Sequence, residues 1–292
     1  MSVSAIIPTR NRADSLARTL QAFAGLDLPD GVPFELIVVD NGSTDGTQAV
    51  VEAFQRSATF PVRHVPEPRP GVSGARNLGA AQAVGTLLLF TDDDCLVASD
   101  WVRGALAIFA DGAPKLVGGR VDLADPAHLP LAVKASGDAG RLCSAGELIG
   151  FLHSANLAVP RNVWERLGGF DPLLGPPFFA GEDADLAYRA LLAGITVLYD
   201  PRLRLRHDHR RMGEREWYRQ NFAYAGGCGA IMMKHLLAGR TDMVRMNYWD
   251  VRSALRKLRD GEVSWRWLWA KRGIGTGAAG YLLGAARRRV GL

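Results

Sequence analysis

The sequence predicts an α/β fold: a mostly parallel sheet flanked by helices, followed by a basic helical C-terminal appendage. Three observations carry that reading. Short, branched apolar runs alternate with segments of helical periodicity through the first half of the chain. Each of those runs ends in a polar cluster. Charge is unevenly divided: residues 1–200 hold 15 Lys and Arg against 23 Asp and Glu, and residues 201–292 hold 20 against 7.

The elements follow in order. "VSAIIP" (3–8) and "FELIVVD" (34–40) read as buried parallel strands, with a helix between them marked by Leu16, Leu20 and Phe23. "NGSTDGT" is a turn and helix cap, and Val50, Ala53 and Phe54 mark the next helix. "PVRHV" (61–65) is a third strand, "GARNLGAAQAV" a helix and "TLLLFT" (86–91) a fourth strand. From about 115 to 210 the pattern is less regular. "KLVGGRVDL" and "HSANLAVP" read as strands, "RNVWERLGGFD" as a short helix and turn, "GEDADLAYRALLAG" as a helix closed by Gly194, and "TVLYDPRLRLRHDH" as further strand. Beyond about 212 the chain reads as helical and basic. The division expected is a body over 1–210 and a helical basic region over 211–292.

Composition narrows the function classes. A hydrophobic content of 48% with 22% charged residues argues for a folded chain. Three scattered cysteines argue against a disulfide framework and fit a reducing cytoplasm. No signal peptide is read at the N-terminus, and "GIGTGAAGYLLGAA" is too short and glycine-rich to span a bilayer. Nucleic acid is not an expected partner. No recognition motif is present, and the acidic body would repel phosphates.

Ligands of open α/β sheets bind beyond the carboxyl ends of the strands. Those ends read "IPTRNR", "VVDNGS" and "FTDDD", so three polar clusters are expected to meet in one cleft. Asp92, Asp93 and Asp94 in sequence repel one another unless something positive offsets them. A hard divalent cation, Mg²⁺ or Mn²⁺, takes such oxygen ligands together with substrate phosphates. The alternative for a bare run of three aspartates is a solvated acidic turn.

The ordered set "IIPTRNR", "VVDNGSTDGT", "PGVSGARNLGA", "FTDDD", "GGFD" and "GEDADL" resembles the family-2 glycosyltransferases over about residues 1–210. The resemblance implies a GT-A fold, a nucleotide-sugar donor, expected to be a UDP-sugar with GDP and dTDP the alternative nucleotides, a divalent cation and inversion at the anomeric carbon. It implies that Pro8, Thr9 and Arg10 contact base or ribose, that Asp40 with Ser43 reads the nucleobase, and that Arg76 and Asn77 approach the donor sugar and diphosphate. Asp94 matches the metal ligand, with Asp92 near the ribose or metal and Asp93 toward the donor sugar, although three in a row allow a one-residue slip. Asp183, beside Glu182, matches the general base; the alternative is that both acids merely cap their helix. His207 matches a residue reaching metal or diphosphate, with His209 its rival. Asn156 and Arg161 fall on the acceptor side. Gly168 and Phe170 read as structural.

The expected acceptor is a glycan or lipid-linked intermediate. Trp265 and Trp269 beside "AKR" and the terminal "RRR" suggest peripheral contact of 265–292 with the inner face of the cell membrane; packing on the body or a homodimer is the other use of that region. A nucleotidyltransferase shares the sheet and the acids, but "IIPTRNR" lacks the glycine-rich loop such enzymes place after the first strand.

Overall fold

A computed structural model describes residues 1–176, 179–261 and 270–289. One sheet runs in the order β3-β2-β1-β4-β8-β6-β9-β5, with β7 paired to β9. Its strands are β1 (Val3–Thr9), β2 (Phe34–Asp40), β3 (Val62–Pro66), β4 (Leu87–Thr91), β5 (Cys95–Val97), β6 (Lys115–Leu123), β7 (Gly140–Arg141), β8 (Asn156–Pro160) and β9 (Thr196–His207). The helices are α1 (Ala13–Ala24), α2 (Thr47–Ser57), α3 (Val72–Gln82), α4 (Trp101–Ile108), α5 (Arg161–Leu167), α6 (Glu182–Leu192), α7 (Glu214–Leu237), α8 (Asp242–Arg259) and, numbered here α9, Gly273–Arg289.

The first four strands in the chain, β1 to β4, are mutually parallel, as the alternating sequence rhythm predicts. Beyond β4 the sheet is mixed: β8 inserts antiparallel to both β4 and β6, while β6 and β9 are parallel.

Alternate strand residues feed two cores, as the period-2 pleat requires. Ile6, Ile37, Val39, Leu88 and Phe90 join Trp164, Leu186, Ala230 and Ile231 on one face. Val3, Ala5, Ile7, Leu36 and Val38 join Leu16, Phe23, Val51 and Trp101 on the other. Strands buried on both faces read as continuous apolar runs for that reason.

The C-terminal helices lie on the face that carries α6, and their glycines permit near backbone contact. A Cβ at Gly229 would stand 1.8 Å from the Ile274 carbonyl oxygen, and one at Gly277 1.8 Å from that of Gly226. Gly273 and Gly277 of "GIGTGAAG" therefore serve helix packing against α7, while a Cβ at Gly275 would meet nothing within 4 Å. No helix among the described residues is long and apolar enough to cross a membrane. Trp265 and Trp269 lie outside the described residues.

Candidate active site

The three polar strand tips meet. Thr9 ends β1 in register with Asp40 of β2, and the turn after β4 carries Asp92, Asp93 and Asp94. The Thr9 hydroxyl donates to Asp93 Oδ2 at 2.8 Å. Arg12, one turn beyond β1, pairs with Asp93 at 2.8 Å and with Asp94 at 2.7 Å. Crowded acids are thus offset first by the chain's own guanidinium. Burial pushes the Asp93 carboxyl up to about 7 against the pull of Arg12. Burial acts on Asp94 in the same sense, but His207 and Arg12 outweigh it and hold that carboxyl far below the ordinary range.

His207, at the end of β9, places Nε2 3.1 Å from Asp94 Oδ1. Asp94, Cys95 and His207 bring one ligand-type atom each within 4.8 Å of one another, all three buried. Burial raises the Cys95 thiol well above its usual range, which makes it a core thiol more than a ligand. A buried carboxylate oxygen and an imidazole nitrogen 3.1 Å apart are donor types that suit a divalent cation such as Mn²⁺. Asp92 stands outside this group, its carboxylate turned to Arg76. The rival His209 is fully used: its Nδ1 accepts from Arg211 N at 2.9 Å, so Nε2 carries the proton and donates to the Leu129 carbonyl at 3.0 Å.

Arg76 is the link between the two acidic clusters. It is 2% exposed, donates to Asp92 Oδ1 at 2.5 Å and to Glu182 Oε1 at 2.8 Å, and lies 5.5 Å from the Phe170 ring centroid. Glu182 also accepts from the Ser154 hydroxyl at 3.0 Å. Asp183 begins α6 beside it, accepting from Ser154 N at 3.2 Å and Ala184 N at 2.7 Å, with part of its surface open to the cavity. Burial, then the Glu182 charge, pushes Asp183 up to about 7. A helix N-terminus alone would lower it. The balance yields a carboxylate poised near neutrality.

One cavity of about 930 Å³ contains the site. Its wall includes Pro8, Thr9, Arg10 and Arg12, the three aspartates, Arg76, Glu182, Asp183 and His207. Asp40 and Ser43 stand on the same strand-tip edge but outside that wall. Asp40 accepts from Ser43 N at 2.8 Å, and Ser43 Oγ accepts from Asn11 N at 2.9 Å, tying two loops together.

Three expected contacts are structural instead. Asn77 exchanges hydrogen bonds with Phe170 N and O at 2.9 and 2.8 Å, fastening α3 to the "GGFD" turn. At Gly169, in the left-handed region at φ +69°, a Cβ would come 2.7 Å from Asn77 Oδ1. Asn156 is fully buried: its amide donates to the Arg120 and Leu203 carbonyls and its oxygen accepts from Trp101 Nε1. Arg161 donates to the carbonyls of Ala80 and Ala83, which the end of α3 leaves without intrahelical partners, and to that of Gly85 just beyond it. Neither Asn156 nor Arg161 lines the cavity.

Arg12, Asn41, Ser154 and Tyr224 are cavity residues that the motifs did not single out. Arg12 had a legible signal: it shares the "PTRNR" cluster with Arg10, two residues away.

Comparison with known proteins agrees with this architecture. The family described as "Glycosyl transferase family 2" matches residues 4–130, and that described as "Glycosyl transferase family group 2" matches residues 87–271. Among curated relatives, the pre-mycofactocin glycosyltransferase of Mycobacterium tuberculosis is 28% identical over 240 residues, covering 80% of this chain and 48% of that one. Glycosyltransferase AglE of Haloferax volcanii is 29% identical over 215 residues, covering 73% and 68%. The chain spans about half the length of the first of these relatives. Among solved structures, the mannosyltransferase PcManGT of Pyrobaculum calidifontis, in complex with GDP-Man and Mn²⁺, superposes with a TM-score of 0.66 at 21% identity, over 97% of this chain and 75% of that one. S. aureus TarS 1–349 in complex with UDP-GlcNAc gives 0.54 at 18% identity, over 100% and 92%. With the second family covering well over half of its length, and with this sheet beneath its acidic clusters, the chain belongs to the family-2 glycosyltransferases of GT-A type.

Proposed function

We propose that the chain transfers a sugar from a nucleotide-sugar donor, a UDP-sugar in the first instance, to an alcohol with inversion at the anomeric carbon. The observation that carries this is Arg76, which joins the triple-aspartate turn to the Glu182–Asp183 helix start inside one cavity. A leaving-group site and a base on the opposite side of the reacting carbon are what a single displacement needs. Solved relatives of the same fold hold GDP-Man with Mn²⁺ or UDP-GlcNAc, which supports a donor of this class.

Asp183 takes the proton of the acceptor hydroxyl. The freed oxygen pair forms the bond to the anomeric carbon, the bond from that carbon to the diphosphate oxygen breaks, and its electron pair leaves on the nucleoside diphosphate. Arg12 and Arg76 face the same cavity and oppose the negative charge that develops there. Asp94 and His207 would hold Mn²⁺ or Mg²⁺. When bound, the cation supplies Lewis-acid stabilisation of the departing diphosphate. Thr9 and Arg12 hold Asp93 in place beside that site.

The acceptor proposed is a glycan or lipid-linked intermediate. The basic charge beyond residue 200 suits peripheral contact with anionic lipid at the cytoplasmic face of the membrane. A thermal-shift panel of nucleotide sugars with and without Mn²⁺ tests the donor reading. At a concentration about 100 times Kd, a true donor stabilises by about 2.7 kcal/mol, or about 5 °C for a chain of this size. The rise is expected for one UDP-sugar, with Mn²⁺, and is expected to disappear in Asp94→Asn. A panel in which no nucleotide sugar shifts the transition removes the reading.

A further inference from the structure

Arg12 stands where local rules disfavour it. It occupies the N-cap of α1, a position that prefers a short polar side chain, and the positive end of a helix repels a cation. It gives α1 no side-chain cap; Ala13 N donates instead to Asp45 Oδ2 at 3.1 Å, from the loop after β2. The preceding residue, Asn11, lies in the left-handed region at φ +51°. The same loop holds it there: Asn11 N donates to Ser43 Oγ at 2.9 Å, and Thr44 N donates to Asn11 Oδ1 at 2.7 Å. An unfavourable residue at a helix start, with its backbone fixed from outside, marks a side chain kept for the site.

The two terminal nitrogens of Arg12 divide between two buried carboxylates. Nη1 meets Asp93 Oδ1 at 2.8 Å and Nη2 meets Asp94 Oδ2 at 2.7 Å. The remaining oxygens face the Thr9 hydroxyl and His207 Nε2. Both oxygens of Asp94 therefore have partners. A dication ligated by Asp94 and His207 either takes Oδ2 from Arg12 or shares the carboxylate with it, and two positive groups on one carboxylate oppose each other. Arg76 is buried between Asp92 and Glu182 and has no such freedom. The Arg12 side chain is 38% exposed and lines the cavity, while the side chains of its partner acids are 5% and 3% exposed. A guanidinium that open can exchange carboxylate oxygens for phosphate oxygens, which it holds in the same forked geometry.

We propose that Arg12 couples the cation to the donor. It competes with a divalent cation for Asp94 until a nucleoside diphosphate offers it a second anionic partner, so that cation and nucleotide each tighten the other. This rests on the cation and donor readings above and deepens them by naming the residue that links the two.

The test uses the full chain. Mn²⁺ is titrated without nucleotide, the free ion being followed by its paramagnetic resonance signal. Arg12→Gln is expected to bind Mn²⁺ about tenfold tighter than the wild type, the scale of one charge-assisted hydrogen bond removed from competition. Arg12→Lys, which keeps the charge, is expected to stay near the wild-type affinity. Arg10→Gln is the control for loss of charge alone: Arg10 lines the same cavity but, among the described residues, pairs with neither aspartate. UDP, GDP and dTDP are then titrated by calorimetry with and without Mn²⁺. The factor by which Mn²⁺ tightens the nucleotide is expected to be about tenfold smaller in Arg12→Gln, since coupling is reciprocal. Unchanged Mn²⁺ affinity in Arg12→Gln, equal tightening in Arg12→Lys or Arg10→Gln, or an unchanged coupling factor overturns the proposal and leaves the transferase reading standing. Should no chain bind Mn²⁺ with or without nucleotide, the cation reading falls and the coupling with it. Should Mn²⁺ bind but no nucleotide, the donor reading falls and takes the coupling with it. Cooperative melting verifies the fold of each variant, and Arg12→Met repeats the comparison if Arg12→Gln does not melt cooperatively.

Discussion

Asp183→Asn is expected to lower the turnover number for sugar transfer by about 10²–10⁴-fold, the usual contribution of a positioned general base. Donor Kd is expected to stay that of the wild type. The two are separable because Asp183 touches no residue of the cation group; its hydrogen bonds go to Ser154 N and Ala184 N. Asparagine keeps the volume and can still accept from Ala184 N, but it cannot take the acceptor's proton. Steady-state rates together with calorimetric donor titration measure both halves. Wild-type turnover in this variant would assign the proton to another group.

The same carboxyl sets a pH dependence whose sign can be worked out. Its native value of about 7 lies well above that of an ordinary aspartate, for reasons of burial first and the neighbouring Glu182 second. Transfer should therefore rise as pH passes through about 7 and the base ionises. Stability runs the other way. Between the ordinary aspartate range and about 7 the folded chain holds a proton that the unfolded chain has lost, so stability falls as pH rises across that window. Asp183→Asn removes that slope. Its melting temperature, relative to the wild type, should be higher at pH 8 than at pH 5, and a constant difference would place the Asp183 carboxyl at its ordinary value.

The parts of the fold legible in the sequence are those whose environment is local. Strands β1, β2 and β4 are buried on both faces, so each reads as an unbroken apolar run ending at a polar tip. Strand β8 has the same signature, yet it runs antiparallel between β4 and β6. Strand direction depends on connections, which residue type does not encode. The site shows the same division. Clusters such as "FTDDD" and "GEDADL" announce themselves because adjacent acids are costly without a purpose. Asn77, Asn156 and Arg161 resemble ligand contacts only until the backbone groups around them are known. Phe170, Leu203 and Ala83 each present polar backbone atoms that need partners, and these side chains supply them. Tyr224 is illegible for a further reason: it belongs to the basic helical region, and the close approach of Gly227 to Ala180 sets that helix against the cavity that Tyr224 lines.

Arg76→Met is expected to destabilise the protein by about 3–5 kcal/mol, the cost of leaving buried charge without its partner. The guanidinium is 2% exposed and holds Asp92 and Glu182 with separate nitrogens. Methionine fills much of the same space, so the loss measures charge more than cavity. Glu182 would then keep, among the described residues, the Ser154 hydroxyl, and Asp92 would face Asp93 and Asp94 with one cation fewer. Lysine does not restore the arrangement, since a single ammonium lacks the fixed fork that spans two carboxylates. The decisive measurement is a comparison of the single and triple variants by chemical denaturation. Adding Asp92→Asn and Glu182→Gln to Arg76→Met should recover a large part of the lost stability, because the stranded charges are gone. If the triple variant is as unstable as the sum of its parts, Arg76 supports the fold through packing on Phe170 rather than by neutralising the two acids, and the electrostatic bridge between cation site and base is lost as an explanation.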